Sequence, residues 1–447
     1  MKIKFLGASG TVTGSSYVLT SGSGQSIVID LGMFQGPEIE HLNYEPYDFD
    51  CKTLIGTVLT HAHLDHCGRL PILLPRGFTA PIWMTPETAD LTELSLLDSA
   101  KIAKIEHKQI LYDKELVIRT IEQFKRVYYR IPFTIGDFTI TFRDAGHIMG
   151  SAIVEVVDAH PDSAISKIVF SGDLGNSPED LLNETEIIDQ ADCVVMESTY
   201  GDRLHPTSDP NVALQSEINA VEASGGTLLI PAFSLQRTQE LLHMLMHLKK
   251  DGKIKAATPV FMDSPMGTTA TRIYTNYPED FNAHIQSELK AGAFTFPGLT
   301  IVGKPKQSES IHSEAGAKVI IAGSGMMTGG RIMEHAVHYL PISSTRLLIV
   351  GYQGEGTLGR ALLEGARDVV IDDIPVRVAA AVSDTQSMSS HADQGQLMHW
   401  LKPIKQVKKI FLTHGDDIPR EELAKRITQE LGITDVTRPS IHQEISI

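Results

Sequence analysis

The sequence predicts a layered α/β protein in which one unit is interrupted by a second. Three observations carry that reading. Up to about residue 200, short β-rich runs recur, nearly all ending in Gly, Asp, His or Thr. From Ser208 the rhythm changes to alternating helices and strands, and after about residue 375 a further strand and two helices close the chain.

Taken in order, KIKFLG, SSYVLT, SIVIDLG, TVLTHAH, PIWMT, FTITFRDAGH, AIVEVV, KIVFSGD and CVVMEST read as strands. Between PIWMT and FTITFRDAGH, the mixed stretch from Pro86 to Arg130 reads as helices, so helices cover sheets. The middle region alternates the helix VALQSEINAVEASGG, the strand TLLIPAF, the helix TQELLHMLMHLKKDG and the strand PVFMD. It continues through AKVIIAGSG, GGRIMEHAVHYL and RLLIVGYQ. Such alternation predicts a mainly parallel sheet. The tail carries RVAAAVSDTQSMSSHAD, the helix DQGQLMHWLKPI, the strand KKIFLTHGD and a last helix from about Glu421 to Leu431. If the tail completes the first unit, the expected division is 1–205 and 376–447 around an insertion of 206–375.

A chain of 447 residues is too long for one ordinary core, and 42% hydrophobic with 21% charged residues describes an ordinary globular protein. The start, MKIKFLGASGTVTGSSYVLT, lacks a long apolar leader core, and no apolar run reaches the length of a membrane span. The expectation is a cytoplasmic protein without a membrane partner. Cys51, Cys67 and Cys193 are too few for a disulfide framework and lack the CxxC pairing of a thiolate zinc site, so any metal is held by nitrogen and oxygen. The net charge of −16 argues against a basic coat protein for nucleic acid. It leaves a nuclease open, because bound cations and local Arg and Lys reverse the field in a cleft.

The densest chemistry is THAHLDHCG, Thr60 to Gly68. His61 and His63 lie two apart, so on an extended or turn backbone their rings share one side. Asp65 and His66 follow and face a second point. Imidazole and carboxylate suit zinc, and this motif supplies parts of two metal sites. Cys67, beside it, reads as a small buried residue.

HxHxDH resembles the signature of the metallo-β-lactamase fold. That resemblance implies further ligands at strand ends, and SIVIDLG offers Asp30, FRDAGHIMGS His147, VFSGDLG Asp173 and IFLTHGD His414, in the expected order. It implies that His61, His63 and His147 hold one zinc, that Asp65, His66 and His414 hold the other, and that Asp173 bridges two Zn2+ ions sharing a water or hydroxide. Asp30 would orient a ligand through a hydrogen bond. VVMESTYGDR, SMSSHAD and LTHGD resemble motifs A, B and C of the β-CASP nucleases, carried here by Glu197, His391 and His414. PAFSLQRTQELL, FMDSPMG, IAGSGMMTGGR and GYQGEGTLGR extend the match over nearly the whole chain. The implied fold is an αββα sandwich with an inserted β-CASP domain.

Histidine rather than valine at motif C is similar to the RNA-processing members. The chain resembles prokaryotic relatives of the cleavage and polyadenylation endonuclease, without N-terminal KH domains and without a long C-terminal extension. The resemblance implies a zinc-dependent ribonuclease, with RNA as substrate and a homodimer as a possible assembly. Hydroxide held by the metals, with Asp65 among the catalytic residues, would attack phosphorus. His391, poised by Glu197, would protonate the leaving ribose oxygen. The Gly-rich turn before RIMEHAVHYL offers backbone N–H groups to phosphate, with Ser324, Arg331, Arg360 and Arg237 as polar candidates. Lys402, Lys405, Lys408 and Lys409 read as a solvated face, and His243 and His247 as ordinary helix residues. Two rival readings are a thioesterase-like hydrolase of the same fold and a non-catalytic scaffold subunit of an RNA-processing complex. The first leaves motif B unexplained; the second leaves the filled ligand positions unexplained.

Overall fold

The structure, a computed structural model, describes residues 1–36, 38–105, 109–159, 165–177, 181–289 and 292–447. Two compact units divide the chain. One contains Met1–Leu204 and His391–Ile447; the other is His205–Ser390.

Among the described residues the first unit holds two seven-stranded sheets. One sheet runs Glu444–Ser446, Lys2–Gly7, Ser16–Thr20, Ser26–Leu31, Leu54–Val58, Ile82–Met84, Phe124–Arg126. The other runs Val436–Thr437, Lys409–Thr413, Cys193–Glu197, Lys167–Phe170, Ala152–Asp158, Phe138–Asp144, Phe133–Ile135. Alternation along each strand sorts its side chains between two layers. Ile27 and Ile29 enter the core between the sheets with Phe5, Phe142, Val154, Phe170 and Phe411. Val28 and Leu31 face the other way, onto Leu70, Leu96 and Val117 of the covering helices. On the second sheet Ile153, Val169, Val194 and Ile410 turn outward to Leu397, Leu401 and Leu423. The result is helix, sheet, sheet, helix. Truncating a ring such as Phe170 at the centre of the inter-sheet core costs about 3–5 kcal/mol by the usual large-to-small scale.

Every strand run of the first 200 residues is a strand, and Pro86–Ile105 and Lys114–Ile121 are the helices of the mixed stretch. Residues 106–108 of that stretch lie outside the described residues. Phe124–Arg126 within it is a strand at the sheet edge, where the expectation was helix. Three residues are too few to show a period.

The inserted unit is built on a six-stranded, all-parallel sheet among the described residues, ordered Leu299–Ile301, Val260–Asp263, Lys318–Ala322, Thr227–Pro231, Arg346–Ile349, Ala381–Asp384. The last strand lies beyond the expected boundary at 375. Ala381–Asp384 pairs with Arg346–Ile349, so the insertion runs on to Ser390.

One buried acid in the sandwich sets a pH dependence. Asp144 ends the strand Phe138–Asp144 with 9% exposure, and burial pushes its carboxyl up to about 7, although the Gly146 N–H at 2.9 Å favours the ionised form. A group that holds its proton more tightly when folded destabilises the fold as pH rises from the unfolded value, about 3.9, through the folded one. Asp144→Asn keeps the acceptor and removes the charge. Its stability relative to wild type should therefore climb between about pH 4 and 7 and then level off, on the order of a few kcal/mol. Parallel pH slopes in thermal melts of the two proteins would refute it.

Candidate metal centre

The sheets bring their strand ends to one place. Lys167–Phe170, Cys193–Glu197 and Lys409–Thr413 are mutually parallel, so Asp173, Glu197 and His414 follow or close strands at the same sheet end. Ser26–Leu31 and Leu54–Val58 do the same for Asp30 and His61. The loops are pressed tightly together. A Cβ on Gly32 would lie 1.5 Å from the Asp65 carbonyl oxygen, and one on Gly175 would lie 1.9 Å from that of Gly146, so neither position admits a side chain. Asp30 and His414 sit in the left-handed region at φ 53° and 48°, conformations that cost about 1–3 kcal/mol and persist where surrounding structure imposes them.

His61, His63, His147 and Asp173 form one group whose ligand atoms lie within 4.8 Å of one another. His63 Nδ1 is 3.1 Å from His61 Nε2 and 3.2 Å from His147 Nε2. Asp173 Oδ2 is 3.5 and 3.6 Å from His61 and His147 Nε2. Asp65, His66 and His414 form a second group, with His414 Nε2 3.4 Å from Asp65 Oδ2. The other oxygen of Asp173 serves this group, at 3.3 Å from His66 Nε2 and 3.6 Å from His414 Nε2. Zinc–ligand bonds of 2.0–2.2 Å give a tetrahedral edge of about 3.3–3.6 Å, and these separations lie within about 0.2 Å of that range.

The hydrogen bonds behind the rings fix their tautomers. Asp30 accepts from Thr60 N at 2.7 Å and Thr60 Oγ1 at 2.8 Å, and from His66 Nδ1 at 2.8 Å. Thr60 Oγ1 has given its proton to Asp30, so it accepts from His61 Nδ1 at 3.0 Å. Thr199 Oγ1 gives its proton to the His414 carbonyl at 3.2 Å and accepts from His414 Nδ1 at 3.0 Å. In all three rings Nδ1 carries hydrogen, and Nε2 presents a lone pair to the centre. His66 Nε2, His414 Nε2 and Asp173 Oδ1 are buried there without a hydrogen-bond partner. Three aligned acceptors facing one another fit a cation.

The electrostatics agree. Asp30, Asp173 and Glu197 are 1–2% exposed, and Asp65 is close by; buried carboxylates at this density require positive charge. Burial drives His61 well below the ordinary imidazole value and His63 down to about 4, the neutral state that ligation needs. Against the burial that would raise it, the surrounding imidazoles hold Asp173 well below the carboxylate range, and His414 brings Asp65 down to about 2. Burial pulls His66 down too, yet Asp173 and Asp30 more than reverse it. A proton sits well there because a positive charge is wanted there.

His391 stands beside this pair. Its loop pairs with that of Asp173 through Gly175, and Ala392 N donates to Leu174 O at 2.8 Å. Its Nδ1 is 3.4 Å from Glu197 and 3.9 Å from Asp173 Oδ2. Burial lowers the ring, but Glu197, then Asp173 and Asp65, hold it up at about 9. Glu197 also accepts from Leu174 N at 2.6 Å, so one carboxylate fixes both the His391 ring and the turn after Asp173.

The sequence reading missed Thr60 and Thr199. Each adjoins a quoted motif, but a threonine hydroxyl carries no signal until its partners are known. Of the four anion candidates, two are corrected. Arg331 pairs with Asp263 and donates to Val302 O and Gly303 O at 3.1 Å, and Arg237 pairs with Glu240 and donates to Ser390 Oγ at 3.0 Å. Both guanidiniums are absorbed inside the inserted unit. Arg360 remains on the surface, 46% exposed beside Glu364, and Ser324 Oγ accepts from Thr328 N at 3.2 Å in the Gly-rich turn.

Asp30→Asn tests the tautomer argument. The amide can present its N–H to His66 Nδ1, turning the His66 lone pair away from the centre. Metal affinity should fall roughly 10–100-fold, as for other partners behind metal ligands; unchanged affinity in a chelator competition would refute the role.

Comparison with known proteins finds three family matches. Residues 9–226 match the metallo-beta-lactamase superfamily, residues 238–362 the Beta-Casp domain and residues 375–439 the Zn-dependent metallo-hydrolase RNA specificity domain. The chain is 34% identical to Ribonuclease TTHA0252 of Thermus thermophilus over 93% of this chain and 94% of that protein. It is 31% identical to RNase aCSPSF2 of Saccharolobus solfataricus over 100% and 85% of the respective chains. It is 30% identical to Transcription termination factor FttA of Methanosarcina mazei over 94% and 68%.

Proposed function

The chain belongs to the β-CASP family of metallo-β-lactamase-fold ribonucleases, and on that premise we propose that it cuts RNA internally at a two-zinc centre. One zinc is assigned to His61, His63 and His147, the other to Asp65, His66 and His414, with Asp173 shared. The observation that carries this assignment is Asp173 itself: one oxygen faces each histidine group, and Oδ1 has no other partner. When bound, such a pair of ions acidifies a water and neutralises charge on a phosphoryl group.

The chain's own residues do the rest. Asp30 and Thr60 hold His66 and His61 in register, and Thr199 holds His414. Glu197 keeps a proton on His391 Nδ1, which assigns the opposite nitrogen to the leaving ribose oxygen. Ser324 and Arg360 are the candidate phosphate contacts. Histidine at position 414, as in the RNA-processing branch, supports RNA over DNA as substrate.

The test is incubation with end-labelled RNA and matched DNA, with and without chelator. Internal RNA fragments that vanish with chelator and return with zinc are expected. Mononucleotides alone would overturn the endonuclease reading, and chelator-resistant cleavage would overturn the metal reading.

A further inference from the structure

A second cluster of ligand-type side chains lies wholly inside the inserted unit. His243 and His247 occupy i and i+4 of the helix Arg237–Lys250, one above the other on the same face. The short helix Ala283–Leu289 presents His284 and Glu288 with the same spacing. Glu288 Oε2 is 2.9 Å from His243 Nε2 and 3.0 Å from His247 Nε2, and the two nitrogens are 3.1 Å apart. The three atoms make a nearly equilateral triangle, with His243 and Glu288 side chains 8% and 14% exposed.

Hydrogen bonding alone accounts for this poorly. If both rings donate Nε2–H to one oxygen, two positive N–H ends meet 3.1 Å apart; if one does not, its nitrogen lone pair faces the carboxylate oxygen at 2.9 or 3.0 Å. A cation capping the triangle removes the conflict. Two imidazole nitrogens and a carboxylate are a zinc donor set, and opening the triangle by a few tenths of an ångström gives the tetrahedral edge. His284, exposed one turn before Glu288, lies against the other carboxylate oxygen, with Nε2 3.7 Å from Glu288 Oε1, and stands outside the triangle.

We propose that His243, His247 and Glu288 bind a zinc ion in the inserted unit, clamping the helix Ala283–Leu289 to the helix Arg237–Lys250. The site shares no residue with the Asp173 centre, so it stands or falls without the nuclease reading. The test uses the full chain, stripped with chelator, reloaded with zinc and freed of excess metal. His247→Gln, at a partly exposed position, and Glu288→Gln should each carry one zinc fewer per chain than wild type. Their RNA cleavage should remain within about twofold, because neither residue belongs to the catalytic group. Circular dichroism checks that both variants are folded. Equal zinc content in wild type and the folded His247→Gln variant overturns the proposal. Loss of zinc together with loss of all cleavage overturns the separation of the two sites.

Discussion

Replacing His391 by alanine is expected to lower RNA cleavage by roughly 10²–10⁴-fold, the range of a lost general acid, with metal content unchanged. Geometry makes the second half of that statement the decisive one. His391 also belongs to a group with Asp173 and His414 whose ligand atoms lie within 4.8 Å, so a ligand role is a real competitor. Its Nδ1 is nearer to Glu197, at 3.4 Å, than to Asp173, at 3.9 Å. The seven assigned ligand positions are filled without it. A ring already committed to a carboxylate through Nδ1 is built to hold a proton, and a ligand must give its proton up. Measuring zinc per chain beside the rate separates the two roles. A variant that loses zinc in step with activity would make His391 a ligand.

The strands were legible because each presents alternate residues to two different apolar layers, as Ile27 and Val28 do on adjacent positions. The ends of those that reach the centre were legible because the polar residues that stop the apolar run, as Asp30, His61, Asp173 and His414 do, are the ones gathered there. The compact unit runs past position 375 to Ser390 for a related reason. Ala381–Asp384 is a short run that would suit an edge of either unit, and only its pairing with Arg346–Ile349 assigns it. Partners distant in sequence left no local trace. Arg331 looked like a phosphate ligand until Asp263 appeared beside it, and His243 and His247 looked ordinary until Glu288, on a separate helix, closed the triangle. Side-chain type can be read from a string; what it faces cannot.

Asp173→Asn should have the larger effect, because it removes the one charge common to both groups. Two unit charges 4 Å apart repel by about 4 kcal/mol at an effective dielectric near 20, so a pair of doubly charged ions at that range repels by about four times as much. The carboxylate between them offsets this, since each oxygen faces one group at 3.3–3.6 Å. An asparagine keeps the shape and one oxygen but carries no charge. His61, His63 and His147 still make a three-nitrogen site for one ion, whereas His66, His414 and Asp65 must then bind a second against uncompensated repulsion. The variant should therefore retain one ion fewer than wild type and cleave RNA slower by roughly 10⁴-fold or more, beyond the His391 loss, since positioning and charge neutralisation go together. His66 supplies an independent check. Burial pulls its ring down and the carboxylates hold it up, Asp173 foremost. In the metal-stripped variant its titration, followed by NMR, should move downward. Full metal content with cleavage within tenfold of wild type would show that Asp173 bridges nothing.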